Sequence, residues 1–336
     1  MRNIDKLFGM AENIIEVKNL EYKYGDFKAV DDVSFFVREG EIFSFLGPNG
    51  AGKSTVINIL TTLLPVQKGS VTIVGYDLAS QPQQVRRSIG IVFQDETLDR
   101  DLTVWETLEL HGRIYSMPKA ERKERIEEII KLVELEEKRN VRTRYLSGGM
   151  KRRLEIGRGL MTRPKVLFLD EPTIGLDTQT RRRLWDYIKR VNDSGTTIFL
   201  TTHYMDEADL VSNWIDIVDH GKIIASGNPT KLKDALGNDM IYLETSDNKA
   251  STNLLKSLKS VSEVKAVALG LVVTIKTDGT HCLPIIMNRL RDSGIEITSV
   301  NLKKPTLDDV FVHYTGRDIR NAGAEKLHRI QPKGGR

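Results

Sequence analysis

Nine residues, GPNGAGKST from Gly47 to Thr55, constrain the fold of this chain more than any other stretch. A short apolar run, IFSFLG (Ile42 to Gly47), enters them. KSTVINILTTLL leaves them with apolar residues at helical spacing and ends before Pro65. Strand, glycine loop and helix in that order form a P-loop. Gly47, Gly50 and Gly52 allow a tight backbone wrap whose N–H groups converge on phosphate oxygens. The helix opening at Lys53 adds the positive end of its dipole. Pro48, Asn49, Ala51 and Thr55 complete the loop. Lys53 is expected to reach the β- and γ-phosphates of a nucleotide, and the Ser54 hydroxyl to ligate Mg²⁺.

An acidic half follows in KVLFLDEPTIGLD. Four apolar residues carry Asp170 to the end of a buried strand, where a carboxylate can hold the Mg²⁺ hydration shell. Glu171, next in the chain, is placed to polarise the water that attacks a γ-phosphate. An acidic pair after a strand is often only a helix start. The following Pro172 and the partnership with the glycine loop favour the catalytic reading.

YLSGGMKRRLEIGRGLM lies just before that strand. Ser147, Gly148 and Gly149 open a helix and make a second anion-binding nest, which one nucleotide site does not need. A serine-capped helix is common in itself. Two phosphate cradles in one chain, one without a lysine, make sense when the second serves a nucleotide held by another copy.

Charge and cysteine usage narrow the class. Lys+Arg 50 against Asp+Glu 46, spread along the chain, makes no case for nucleic acid, and no nucleic-acid partner is expected. One cysteine, Cys282, excludes an internal disulfide framework and a clustered-thiol zinc site. The amino terminus, MRNIDKLFGMAENII, lacks the apolar core of a signal peptide. No run approaches the ~20 apolar residues a spanning helix needs. The chain is therefore expected to be soluble and to serve a membrane only through a partner that crosses it.

VTIVG, SIGIVF, KVLFLD and TTIFLT read as further buried strands of an α/β layered domain. TVWETLELHGRIYSM and KAERKERIEEIIKLVEL read as helices inserted at about residues 95–164, and DHGKIIASGNP as a hairpin leading out near residue 230. From Asp239 the pattern restarts. MIYLETS, KASTNLLKSLKS, VKAVALG, LVVTIKT, CLPIIMNRLRDSG and IEITSVNLKK read strand, helix, strand, strand, helix, strand, the ferredoxin-like order. The expected organisation is an amino-terminal extension (1–12), a P-loop α/β domain (13–235), a small α+β domain (236–316) and a basic tail (317–336). That tail, carrying Arg317, Arg320, Lys326, Arg329, Lys333 and Arg336, reads as solvated, with anionic lipid as the alternative contact.

With these motifs in place, Ile14 to about Thr230 resembles the ATP-binding subunits of ABC transporters. The resemblance implies ATP as the nucleotide and four further site residues. Tyr24 in EYKYG matches the aromatic that stacks on adenine. Gln94, closing GIVFQ, matches the glutamine that touches the Mg²⁺ and water region and hinges the helical insertion. Asp177 in GLD matches the aspartate that crosses the dimer interface. His203 in FLTTH matches the switch histidine that contacts the γ-phosphate. Met150 departs from the family's usual glutamine, but a backbone nest does not depend on that side chain.

NLKKPTLDDVFVHYTGR, Asn301 to Arg317, resembles the closing segment of the daunorubicin-resistance type of exporter ATPase. Physically it reads as a strand, a break at Pro305, and a Thr306-capped helix burying Leu307, Val310 and Phe311. A generic regulatory or dimer-supporting domain is the alternative. The resemblance implies two copies, identical or paralogous, facing head to tail with ATP between the P-loop of one and Ser147–Gly149 of the other. It further implies a separately encoded membrane-spanning permease docked near Gln94 to Leu110, and a peripheral position on the cytoplasmic face of the cell membrane. Two rivals stay open: a soluble ABC-type ATPase with a non-membrane partner, and the ATPase of an importer. The chain has no long coiled-coil insertion, second cassette or zinc cysteines, against the first; the PTLDDVF segment argues against the second.

Overall fold

The computed structural model describes residues 13–235, 239–267, 270–276 and 278–315; the amino-terminal extension and the basic tail lie outside the described residues. Six strands form the central sheet, in the order Lys222–Gly227, Trp214–Asp219, Ile42–Leu46, Thr197–Thr202, Val166–Asp170 and Ile89–Val92. Neighbours run parallel except for the hairpin of the first two. The three strands Ile42–Leu46, Val166–Asp170 and Thr197–Thr202 are buried at every position, because both faces of a parallel sheet are covered. That is why they read as unbroken apolar runs.

An antiparallel sheet, in the order Phe27–Arg38, Asn13–Tyr24, Lys68–Ile73 and Tyr76–Asp77, makes a second layer. VTIVG thus pairs with Asn13–Tyr24 and not with the parallel strands. A stack of Phe35, Phe43, Phe45, Phe168 and Phe199 shares its core, with ring centroids 5.3–6.0 Å apart. Such pairs each add about 0.5–1.5 kcal/mol beyond the area they bury. The glycine-loop helix, Lys53–Leu60, joins this core through Val56, Ile57, Ile59 and Leu60. It stops four residues before the apolar pattern does, and Thr62 turns out of it with φ 66°.

A second core gathers Trp185, Tyr187 and Ile188 of helix Thr178–Asp193 with helices Val104–Ile114, Lys119–Leu132 and Gly148–Leu160. Thr103 and Glu106 close a complete capping box at the first of these inserted helices.

Contacts divide the described residues between Asn228 and Pro229, so helix Pro229–Ala235 goes with the second unit, where it packs on Leu307–Thr315. The sequence alone suggested a junction near residue 235. Within the second unit the sheet order is Val261–Val267, Gly270–Ile275, Met240–Thr245 and Ile297–Lys303, all antiparallel. Helices Asn248–Lys256 and Gly279–Asp292 make the two crossovers, completing the ferredoxin-like topology. Thr306 and Asp309 cap the closing helix reciprocally, and Leu307, Val310 and Phe311 are fully buried.

Asp216, on strand Trp214–Asp219, is a buried acid away from the sheet edge that carries Asp170. Asp216 Oδ1 accepts from Ser226 Oγ (2.5 Å) and Trp214 Nε1 (3.3 Å), while its Oδ2 is buried without a hydrogen-bond partner. Burial, reinforced by the Glu41 carboxylate, pushes Asp216 up to about 7 from an ordinary 3.8. The folded chain therefore binds a proton there that the unfolded chain has released. Stability from this site is complete below about pH 4 and declines at roughly 1.4 kcal/mol per pH unit until about pH 7. We expect urea unfolding of the unmodified chain to move to lower denaturant between pH 5 and pH 8, and Asp216→Asn to narrow that gap. An unchanged gap would show that the site does not carry the dependence.

Candidate active site

Strand register assembles the site. Leu46 pairs with Thr202, and Thr201 with Asp170, so the three strands end together and deliver Gly47, Glu171 and His203 to one edge of the sheet. Ligands of open parallel sheets bind at such carboxyl ends. Gly47 N donates to Thr202 O at 3.2 Å, tying the loop to the strand that bears His203. A Cβ on Gly47 would lie 2.3 Å from the Val218 carbonyl oxygen. One on Gly52, whose φ is 103°, would lie 2.5 Å from that of Ala29, so both places require glycine.

Lys53, 4% exposed, donates through Nζ to the carbonyls of Gly47 (2.8 Å) and Pro48 (3.1 Å) and pairs with Glu171 Oε1 at 3.2 Å. His203 Nδ1 lies 3.0 Å from Glu171 Oε2. Thr201 Oγ1 donates to Asp170 Oδ1 (2.5 Å), and Glu171 N donates to the same hydroxyl (3.1 Å). Glu171 holds a left-handed φ of 44°, a conformation that costs a non-glycine residue of order 1–3 kcal/mol. The surrounding bonds hold it there.

Burial sets the electrostatics. It pushes Asp170 up and Lys53 down from their ordinary values. Burial also raises Glu171, but the hydrogen bond to His203 and the charge of Lys53 outweigh it and leave Glu171 below the usual carboxylate range. An ionised carboxylate between an imidazole and an ammonium can accept a proton from water, and the glycine cradle with its lysine fits a triphosphate.

Ser54 is exposed and Thr55 half-buried in the first helical turn; Gln94 is exposed beyond the end of Ile89–Val92. Tyr24, 49% exposed, meets Tyr22 edge to face at 5.0 Å. Ser147 caps helix Gly148–Leu160, its side chain accepting from Met150 N, and Asp177 caps Thr178–Asp193, accepting from Gln179 N and Thr180 N. A Cβ on Gly149 would lie 2.4 Å from the Thr180 methyl, so the two caps are packed together. A groove of about 650 Å³, lined by Ser147, Gly149, Met150 and Thr180 among others, opens beside them. Among the described residues, no hydrogen bond joins Ser147–Gly149 to Lys53, Asp170 or Glu171.

Sequence reading missed Thr201, a hydroxyl inside an apolar strand, and Glu207. Glu207 is buried; its Oε2 accepts from Thr173 Oγ1 (2.8 Å) and Thr202 Oγ1 (3.2 Å), and its Oε1 pairs with Arg181 Nε (3.1 Å). The available signal was its place four residues after His203, on helix Met205–Val211.

Comparison with known proteins fits this geometry. Residues 30–174 match the ABC transporter family model, and residues 227–315 match the C-terminal domain of DrrA1-3-like ATP-binding proteins. The daunorubicin resistance ATP-binding protein DrrA3 of Streptomyces coeruleorubidus is 38% identical over 93% of this chain and 98% of its own length. The chain belongs to the ABC transporter family. The linearmycin resistance ATP-binding protein LnrL of Bacillus subtilis (strain 168) is 35% identical over 92% of this chain and all of its own. The Nod factor export ATP-binding protein I of Ralstonia nicotianae is 35% identical over 92% and 95%.

Among solved structures, cbiO1 of Clostridium perfringens, part of the cbiONQ complex, aligns with TM-score 0.62 at 30% identity, over 66% of this chain and 90% of that one. A dimeric cassette, MJ0796 bound to ADP and Pi, aligns with TM-score 0.57 at 31% identity, over 64% and 98%. This ABC subunit is thus an ATPase, and relatives named for resistance or export favour neither rival reading. ABC ATP-binding subunits dimerise and work with a membrane permease. Among the described residues, no helix is long and apolar enough to cross a membrane.

Proposed function

We propose that this subunit drives a separately encoded export permease by closing on a second copy, itself or a paralogue, around ATP and reopening when ATP is spent. The observation that carries the reading is the split site. Lys53, Glu171 and His203 converge at one sheet edge, while the Ser147–Gly149 nest stands apart on an exposed turn that a second molecule can reach.

The P-loop, Gly47–Thr55, would cradle the phosphates of ATP and Tyr24 would stack on adenine through its exposed face. Ser54, Asp170 and Gln94 offer hard oxygen donors that suit Mg²⁺, which when bound would neutralise phosphate charge. A γ-phosphate offers Lys53 a stronger anion than Glu171. Drawing the ammonium away removes the charge that lowers Glu171 and so makes it more basic. Glu171 then takes a proton from water as the water oxygen bonds to the γ-phosphorus and the bond to the β–γ bridging oxygen breaks. His203 holds Glu171 and would contact the γ-phosphate. Asp177 lines the closing interface. Loss of the γ-phosphate removes the ligand that joined the halves.

The permease would dock on a groove of about 570 Å³ beside the Gln94 segment, lined by Leu63, Phe93, Thr97, His111, Tyr115 and Arg158. It includes Leu63, 56% exposed, and a second groove that shares Arg86 and Tyr115 with it carries Ile114, 67% exposed, apolar side chains of a kind typical of interaction sites. This docking would make the chain peripheral on the cytoplasmic face of the membrane, with the cargo chosen by the permease. The test is a mild-detergent pull-down of tagged Glu171→Gln chain with ATP from its native cells. A polytopic membrane protein is expected to co-purify and to be lost with Ile114→Glu. Capture of ribosomes or DNA with no membrane protein would refute the reading.

A further inference from the structure

We propose that Arg152 is a positioning residue that ties the Ser147–Gly149 nest to the catalytic turn at Glu171, so that nucleotide seated on the nest adjusts Glu171 of the same chain. The proposal rests on the reading of Glu171 as the base and of the nest as the partner's nucleotide cradle. In a head-to-tail pair those two features belong to different ATP sites, so Arg152 would link the two sites through one subunit.

Arg152 lies in helix Gly148–Leu160, whose cap is Ser147, and is 7% exposed. Its guanidinium is spent on fixed partners. Nε donates to Pro172 O at 2.7 Å, and Nη2 to Asp170 O at 3.2 Å and Glu171 O at 3.4 Å. Three consecutive carbonyls around the left-handed Glu171 are thus held by one planar group. Nη1 donates to Phe93 O at 2.6 Å, the residue before Gln94, and to Glu155 Oε2 at 2.9 Å. Glu155 is itself anchored, its Oε1 accepting from Thr97 N at 2.8 Å. A rigid fork buried among backbone carbonyls moves only with them, so a displacement of the nest helix is transmitted to the Glu171 turn and to the Gln94 segment. A lysine offers three donors from one point and cannot span the same carbonyls.

The test uses the full chain with its permease, comparing Arg152→Lys, Glu155→Gln and Glu171→Gln. Arg152→Lys is expected to keep the ATP Kd of the isolated chain within about twofold while kcat falls ~10-fold or more, since small misplacements of catalytic groups carry such costs. Its Hill coefficient for ATP should fall toward one, because the link between sites is cut. Glu155→Gln, which leaves the carbonyl bonds in place, should show the same direction at a few-fold size. That variant decides the matter where Arg152→Lys does not fold. Recovery of wild-type kcat when each protein is assayed equally far below its own thermal midpoint would overturn the proposal, since it marks a purely structural role. Glu171→Gln separates the two failures. An active Glu171→Gln chain would refute the catalytic reading. An inactive one, beside an Arg152→Lys chain with unchanged kcat and Hill coefficient, would refute the Arg152 link alone.

Discussion

Glu171→Gln is expected to slow ATP turnover by ~10²–10³-fold, the scale of lost general-base help, while ATP still binds. Glutamine keeps the shape of the side chain and can still bond to His203, but its amide cannot take a proton from the attacking water. The same change removes the ion-pair partner of buried Lys53, leaving the ammonium hydrogen-bonded to the Gly47 and Pro48 carbonyls. Breaking a buried pair on one side typically costs about 3–5 kcal/mol. The variant without nucleotide should therefore melt earlier than the unmodified chain, and ATP should raise its midpoint by more. Because hydrolysis no longer separates the halves, ATP should hold the variant as a dimer in light scattering. Turnover close to the unmodified rate would end the assignment of Glu171 as the base.

Gly149→Val is expected to have the second large effect, through geometry alone. Its Cβ would fall 2.4 Å from the Thr180 methyl, so either the nest or the Asp177-capped helix must shift. The P-loop is built from other segments, and the isolated chain should bind ATP with unchanged affinity. Introduced beside Glu171→Gln, the change should abolish the ATP-dependent dimer. Alone it should lower turnover by ~10²-fold or more, as loss of an oriented phosphate donor does. A dimer that persists in light scattering would remove the nest from the interface.

Legibility followed the range of the interactions. The P-loop, the DE pair after an apolar strand, and the Ser147 cap are local patterns read within a dozen residues, and each appears on the expected element. The restart at Asp239 was equally plain, because four short strands and two helices alternate with clear breaks. The junction near residue 235 was less so. Pro229–Ala235 follows the hairpin in sequence yet packs on a helix some seventy residues later, a choice no local pattern carries. VTIVG was read correctly as a strand, but its sheet was decided by pairing with Asn13–Tyr24, far away in the chain.

By itself, then, the sequence determined which elements form and what chemistry each carries: phosphate-cradling glycines, a lysine, an acidic pair, a histidine after a strand, a capped nest. Spacing and side-chain type suffice for these, since they depend on near neighbours along the backbone. Only the tertiary structure decided that Lys53, Glu171 and His203 touch, that Glu171 is held in a left-handed turn by Arg152 and Thr201, and that Asp216 keeps its proton near neutrality. Those properties arise from strand register and burial, which bring distant residues into a region that water does not screen.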